Sequence, residues 1–336
     1  MTLQCPLPID RYPAIIMAHG GGGRLTQQLV SMFRAAFDDE GLNGNDAAVL
    51  GELQGKIAVT TDGFVVTPRF FPGGSIGSLA VYGSVNDLAC VGAKARHLTA
   101  SFILEEGFAI EELWRVVLSM AEAARSAGVS IVAGDTKVVG RGQGDGVYIH
   151  TTGIGVVAQD HWEQPSPSDV ILVSGDIGRH GIAVMMARGE LGLSSDIESD
   201  CGSIWPAVHA LIEQQIQVRV VRDLTRGGLA TILNELGVEH GLGMEIDETR
   251  LPVEETVNGA CELLGIDPLY VANEGTFVAL VAKDHADKAL EILRKFRKDS
   301  QIIGRTTASA GVVAKNAFGS KRVLDVLSGE QLPRIC

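Results

Sequence analysis

Four short segments set an aspartate beside glycine, asparagine or a hydroxyl residue. They are Asn45–Val49 (NDAAV) with Asp46, Thr60–Gly63 (TTDG) with Asp62, Asn86–Ala89 (NDLA) with Asp87, and Gly134–Lys137 (GDTK) with Asp135. Mg²⁺ takes oxygen ligands and is usually held by a few carboxylates, water and a polyphosphate. Carboxylates dispersed on loops at strand ends suit such a site, and the β-rich runs before Asp62 and Asp135 predict that placement. One Asp next to Gly or Asn is ordinary turn chemistry. Four of them, in a chain with no other metal motif, point to a cation that holds phosphate.

Other signatures are absent. Gly51–Ile57 (GELQGKI) fails the spacing and the final hydroxyl of a G-x-x-x-x-G-K-S/T loop. There is no HExxH zinc helix and no G-x-S-x-G elbow. His19–Gly23 (HGGGG) leads into a predicted helix over Arg24–Phe37; it reads equally as an anion-facing N-terminus and as a plain turn. The cysteines at 5, 90, 201, 261 and 336 contain no CxxC pair, which argues against a disulfide framework or a zinc site. Cys90, Cys201 and Cys261 fall in apolar or helical contexts and read as inert packing or surface thiols. Cys336 differs because it is the final residue, too late for a prenylation box.

The elements that must position these residues follow from periodicity. Strands are predicted over Lys56–Thr61, Leu98–Leu104, Val129–Ala133 and Val147–Val157, and a helix over Ile76–Val91. Ile110–Ala127 is helical, with Ile110, Leu113, Val116, Val117, Met120 and Ala124 on one side. His161–Asp169 (HWEQPSPSD) is the best linker candidate. A second α/β pattern follows, with strands at Val170–Ser174 and Thr276–Ala282. Its helices lie around His180–Arg188, Ser203–Ile212, Gly228–His240, Glu254–Leu264 and Asp284–Lys298. The regular βαβ alternation of a dinucleotide-binding fold is missing. Ser328–Cys336 contains Pro333, which blocks a helix, and extended it spans at most about 30 Å as a mobile arm.

At 336 residues, with 46% hydrophobic and 21% charged, the chain has the composition of a folded protein of about two domains. No stretch nears the ~18 apolar residues of a membrane span, and MTLQCPLPIDRYPA has no signal core, so a cytosolic protein is expected. The net charge of −13 disfavours nucleic acid and anionic lipid, and a bound phosphate would need a metal ion beside it.

Taken in order, NDAAV, TTDG, NDLA, GDTK and Asp223–Gly228 (DLTRGG) resemble the motifs of the aminoimidazole ribonucleotide synthetase (PurM-like) ATP-binding superfamily. Thiamine-monophosphate kinase and selenophosphate synthetase belong to it. Within it, HGGGG, Phe70–Gly74 (FFPGG), Phe102–Gly107 (FILEEG), GDTKVV, Ala272–Gly275 (ANEG) and the terminal PRIC resemble the HypE family of hydrogenase-maturation carbamoyl dehydratases. The likeness runs from about residue 15 to 336, while residues 1–13 match nothing.

The resemblance implies a mixed α/β, PurM-like two-domain fold in a homodimer with a shared β-barrel-like interface, and ATP–Mg²⁺ between the halves. The implied layout is an N-terminal extension (1–14), an ATP-binding domain (15–160), the linker (161–169), an α+β domain (170–327) and a tail (328–336). The partner HypF would load the Cys336 thiol with a carbamoyl group. ATP-dependent dehydration would then give a thiocyanate, whose cyanide passes to iron on HypC–HypD for a nickel–iron hydrogenase. By the same resemblance Asp46, Asp62, Asp87 and Asp135 hold the metal, and Asp62, Asp135, Asp223, Thr225 and Arg226 bind the nucleotide. Glu274 is the base, and Lys137 the cation or proton relay at the carbamoyl oxygen. Two other readings compete. A small-molecule kinase or cyclase of the superfamily has no need of a terminal cysteine, and a non-catalytic one-carbon carrier has no need of an ATP site.

Overall fold

Alternation along Ile57–Phe64 (β1) turns Phe64 into the core and leaves Ile57 and Val59 45% and 66% exposed, the mark of a strand covered on one side. The structure, a computed structural model, describes residues 5–9, 11–37, 46–158, 162–189 and 196–327. β1 opens a four-stranded sheet with β4 (Ala93–Glu105), β5 (Ser130–Val139) and β6 (Val147–Val157), in the order β1-β6-β4-β5; a small hairpin, β2 (Phe70–Phe71) and β3 (Gly74–Ser75), stands apart. β4 and β5 run parallel and the other pairs antiparallel.

Helices α1 (Arg24–Phe37), α2 (Ile76–Cys90) and α3 (Ile110–Ala127) complete the first half. The parallel β4–β5 pair needs a crossover, and α3 supplies it. α2 is buried on nearly every side between the sheet and α3, which explains a sequence apolar all round. Its N-terminus is capped by the Ser75 hydroxyl, which accepts from the Gly77 and Ser78 amides. A Cβ at Gly77 would lie 2.3 Å from the Val116 carbonyl, so glycine sets the α2–α3 approach.

The second half is a seven-stranded sheet in the order β13-β12-β9-β11-β7-β10-β8. Its strands are β7 (Val170–Val173), β8 (Val218–Asp223), β9 (Gly243–Asp247), β10 (Phe277–Val281), β11 (Gln301–Thr307), β12 (Gly311–Lys315) and β13 (Lys321–Val323). The helices are α4 (Arg179–Ala187), α5 (Trp205–Glu213), α6 (Gly228–His240), α7 (Glu255–Leu264) and α8 (Ala286–Leu293). Val278 and Leu280 of β10 pack with α6, while Phe277, Ala279 and Val281 pack with α5 and α8. Cover on both faces is why β10 reads as an unbroken apolar run. The second of these cores also holds Ala89 and Cys90 of α2, which joins the two halves.

Several expectations need correction. Asp62 and Asp135 lie within strands, because β1 continues to Phe64 and β5 to Val139, and Asp87 lies within α2; none stands on a loop at a strand end. A polar residue within a strand, Asp62 on the covered face of β1 or Asp135 on the exposed face of β5, does not end it when neighbouring strands carry the pairing onward, as β6 and β4 do here. β8, β9, β11, β12 and β13 were not foreseen, being short and broken by Arg, Glu and Gly. The last predicted helix stops at Leu293 rather than Lys298. Residues 162–169 hold no helix or strand but are pinned, with Trp162 Nε1 donating to the Cys90 carbonyl at 2.8 Å and the Thr306 amide to that of Asp169 at 2.8 Å. His161 lies outside the described residues. Among the described residues no helix is long and apolar enough to cross a membrane.

Candidate active site

A cavity of about 50 Å³ opens where the first sheet meets the second half, and Asp62, Asp87, Asp223, Thr225, Arg226 and Glu274 line it. β1 brings Asp62, whose Oδ1 accepts from the Gly63 amide at 2.8 Å. The last turns of α2 bring Asp87, and Thr60 Oγ1 on β1 donates to its Oδ2 at 2.6 Å. β8 ends at Asp223 and runs into the turn of Thr225 and Arg226. Gly227 and Gly228 follow at φ +80° and +61°, and a Cβ at Gly228 would lie 2.6 Å from the Leu269 carbonyl. Only glycine allows this turn to press on residues 269–271.

Glu274 enters from the loop before β10 and is buried. Its amide donates to Asp200 Oδ1 at 3.0 Å. Asp200 Oδ2 accepts from the Gly275 amide (3.0 Å), Asn273 Nδ2 (3.0 Å) and Thr276 Oγ1 (2.9 Å). Asn86, beside Asp87, donates through Nδ2 to the Gly202 carbonyl at 3.0 Å and accepts from the Ile204 amide at 2.9 Å.

The cavity is strongly acidic, with Arg226 the one cation lining it among the described residues. Burial pushes Asp87 up, against the Thr60 hydrogen bond and with the Asp62 charge. Burial and then the Asp87 charge push Asp223 up to about 7. Burial raises Glu274 well above the usual carboxylate range, and Asp223, Asp200, Asp62 and Asp87 add repulsion. Carboxylates held this way accept protons readily and gain from a cation placed among them. Among the described residues no three His, Cys, Asp or Glu side chains converge tightly enough to hold a metal ion by themselves. Asp62, Asp87 and Asp223 nonetheless line one cavity, and their chemistry fits a cation that takes its remaining ligands from phosphate and water. The room suits an ion and a few atoms of substrate, not a whole nucleotide.

The other predicted residues lie elsewhere. Asp46 and Asp135 line a separate cavity of about 220 Å³, walled by Phe33, Phe37 and Phe102 of α1 and β4. Lys137 pairs with Asp135 at 2.5 Å, and both side chains are more than half exposed. Within one protomer the structure thus gathers six of the predicted positions and leaves Asp46, Asp135 and Lys137 apart. Cys336 and the 328–336 tail lie outside the described residues. Cys90 and Cys261 are buried, and Cys201 is partly buried against Ser78 at 3.6 Å. Burial first, then the Glu274 charge, pushes the Cys201 thiol far up, which fits an inert thiol. Sequence reasoning missed Asp200, Asn86 and Asn273. Asn86 and Asn273 stand in motifs already singled out, whereas Asp200, in Ser199–Ser203 (SDCGS), looks like any turn aspartate.

A family model described as AIR synthase related protein, N-terminal domain, matches residues 44–157, and that of the C-terminal domain matches residues 166–315. The carbamoyl dehydratase HypE of Cupriavidus necator is 49% identical over 343 residues, covering 99% of this chain and 97% of that protein. A crystal structure of the hydrogenase maturation protein HypE in complex with ATP superposes with a TM-score of 0.91 at 43% identity, covering 96% of this chain and 99% of the other. A HypE–HypF complex superposes with a TM-score of 0.78 at 46% identity, over 91% of this chain and 100% of the other.

Proposed function

This chain belongs to the AIR synthase related family and, within it, to the HypE carbamoyl dehydratases of hydrogenase maturation, and we propose that it dehydrates a carbamoyl group carried on its own Cys336, at the expense of ATP, to a thiocyanate. The observation that carries this is the acidic cavity in which Glu274, from the second half, faces Asp62 and Asp87 from the first. A related HypE binds ATP and another is complexed with HypF. On this reading HypF would be the carbamoyl donor, HypC–HypD the cyanide acceptor and the cytoplasm the site of action; the HypE–HypF complex supports the first of these.

The chemistry needs a leaving group and a base. Transfer of the ATP γ-phosphoryl group to the carbamoyl oxygen turns a poor leaving group into phosphate. One N–H proton departs as the oxygen attacks. The second leaves as the C–O bond breaks, giving S–C≡N, phosphate and ADP. Glu274 would take the N–H proton in its ionised form, which a cation among the surrounding carboxylates would favour by relieving their repulsion. Asp62, Asp87 and Asp223 would hold Mg²⁺, which supplies positive charge against the phosphates. Thr225 and Arg226 border the same cavity and would meet the phosphates.

The exposed face of the first sheet bears Ile57, Val59 and Ile103, 45%, 66% and 43% exposed, which supports a homodimer closed through it. Asp46, Asp135 and Lys137 would then serve as further metal, nucleotide and carbamoyl contacts by acting across that interface on the partner's cavity. The test of the reaction is mass spectrometry of the C-terminal peptide after carbamoylation, before and after ATP. Loss of one water from Cys336 is expected; a phosphorylated free small molecule with an unchanged peptide would indicate a kinase instead. A chain lacking Cys336 should fold and bind ATP yet accept no carbamoyl group.

A further inference from the structure

Residues 199–204 cross from one half of the molecule to the other. On the first half, the Ser199 amide donates to the Pro72 carbonyl at 2.8 Å, and Asn86 holds both Gly202 and Ile204. On the second half, Asp200 takes four hydrogen bonds from the turn 273–276, two from the amides of Glu274 and Gly275 and two from the side chains of Asn273 and Thr276. The fit leaves no slack: a Cβ at Gly275 would fall 1.9 Å from the Asp200 carbonyl oxygen. Asp200 is itself buried.

A carboxylate whose two oxygens accept four hydrogen bonds from one turn fixes that turn better than a neutral side chain with fewer acceptor sites, since a charged acceptor strengthens each bond. Yet this charge stands near Glu274, whose own ionisation it opposes. Asparagine would avoid that repulsion but would turn an NH2 donor toward the turn's own donors, so it could not accept all four hydrogen bonds. The arrangement makes sense if the place of the Glu274 carboxylate matters more than its comfort.

Resting on the reading of Glu274 as the base, we propose that Asp200 is a positioning residue for it: its carboxylate locks the 273–276 turn, and the strap 199–204 registers that turn against Asp62 and Asp87 of the other half. Asp200 touches no reacting atom. It acts through Glu274.

The experiment is a single-turnover dehydration of the full-length protein, carbamoylated on Cys336 and mixed with ATP. Asp200→Asn is expected to slow the reaction about 10²-fold, the cost of a misplacement near 1 Å. ATP affinity should stay within a few fold, and deuterium should exchange faster at the Glu274 and Gly275 amides. In Glu274→Gln the Asp200→Asn change should cost nothing more, because residues acting through one group are not additive. Thr276→Val removes one donor, should slow the reaction several fold, and carries the same test if Asp200→Asn does not fold. A normal rate in the folded variants, or losses that multiply in the Glu274→Gln background, would overturn the proposal. If Glu274→Gln itself reacts normally, the base reading falls and this inference with it. If only Glu274→Gln is slow, the inference fails alone.

Discussion

Asp135 and Asp223 both lie on strands beside cavities, and both come from motifs of similar look. Asp135 stands on the edge strand β5, 60% exposed, and the hydrogen bond from Lys137 holds its carboxyl below the ordinary value. Asp223 ends β8 against α2, where burial and the Asp87 charge push it up to about 7. One carboxylate already has its cation; the other stands in an acidic pit. Local sequence does not separate them. The difference arises because the second half is laid on one patch and leaves the other open.

The strongest way to break this contrast is to withdraw the cation. Calorimetry should show ATP binding abolished in EDTA, because triphosphate and the inner carboxylates repel one another. Equal affinity with and without Mg²⁺ would mean that the inner patch is not a cation site.

Glu274→Gln should retain ATP binding while nitrile formation falls by about 10²–10⁴-fold. Lys137→Ala should lose activity similarly if the outer patch serves the partner's cavity. A heterodimer of one Glu274→Gln and one Lys137→Ala subunit sharpens the point. It keeps one cavity with both residues intact only if Lys137 acts across the interface, so an active heterodimer supports that reading. An inactive one places the lysine within its own subunit.

The smallest effect is on stability. Asp223 rises from 3.8 to about 7 on folding, so the folded state binds its proton more tightly than the unfolded chain. That contribution is complete below the unfolded value and is lost as pH climbs through the folded one. The melting temperature of the metal-free protein should therefore fall by a few degrees between about pH 5 and pH 8. Asp223→Asn should flatten that slope; an identical slope in the variant would place the titration elsewhere.

The first half was legible because its elements are long. The predicted bounds of α3 and β6, at Ile110–Ala127 and Val147–Val157, are those of the structure, since an 18-residue amphipathic helix and an 11-residue strand each declare their period. The seven-stranded sheet was largely hidden. VRVVRD (β8), GMEID (β9) and KRV (β13) are too short and too charged to show a period.

The sequence alone determined the inventory: the aspartates, Glu274 in ANEG, Lys137 in GDTK, and the ordered motifs that carry the family likeness. Side-chain type and spacing are local, and a chain states them outright. Tertiary structure decided which of them meet. Asp62 and Glu274 stand 212 positions apart in the chain and share one cavity; Asp135 and Asp62 come from one sheet and do not. Asp200 shows the same limit most sharply. Its carboxylate becomes a hub only when residues 273–276 fold back on it, a contact set by the packing of two halves and written in no spacing.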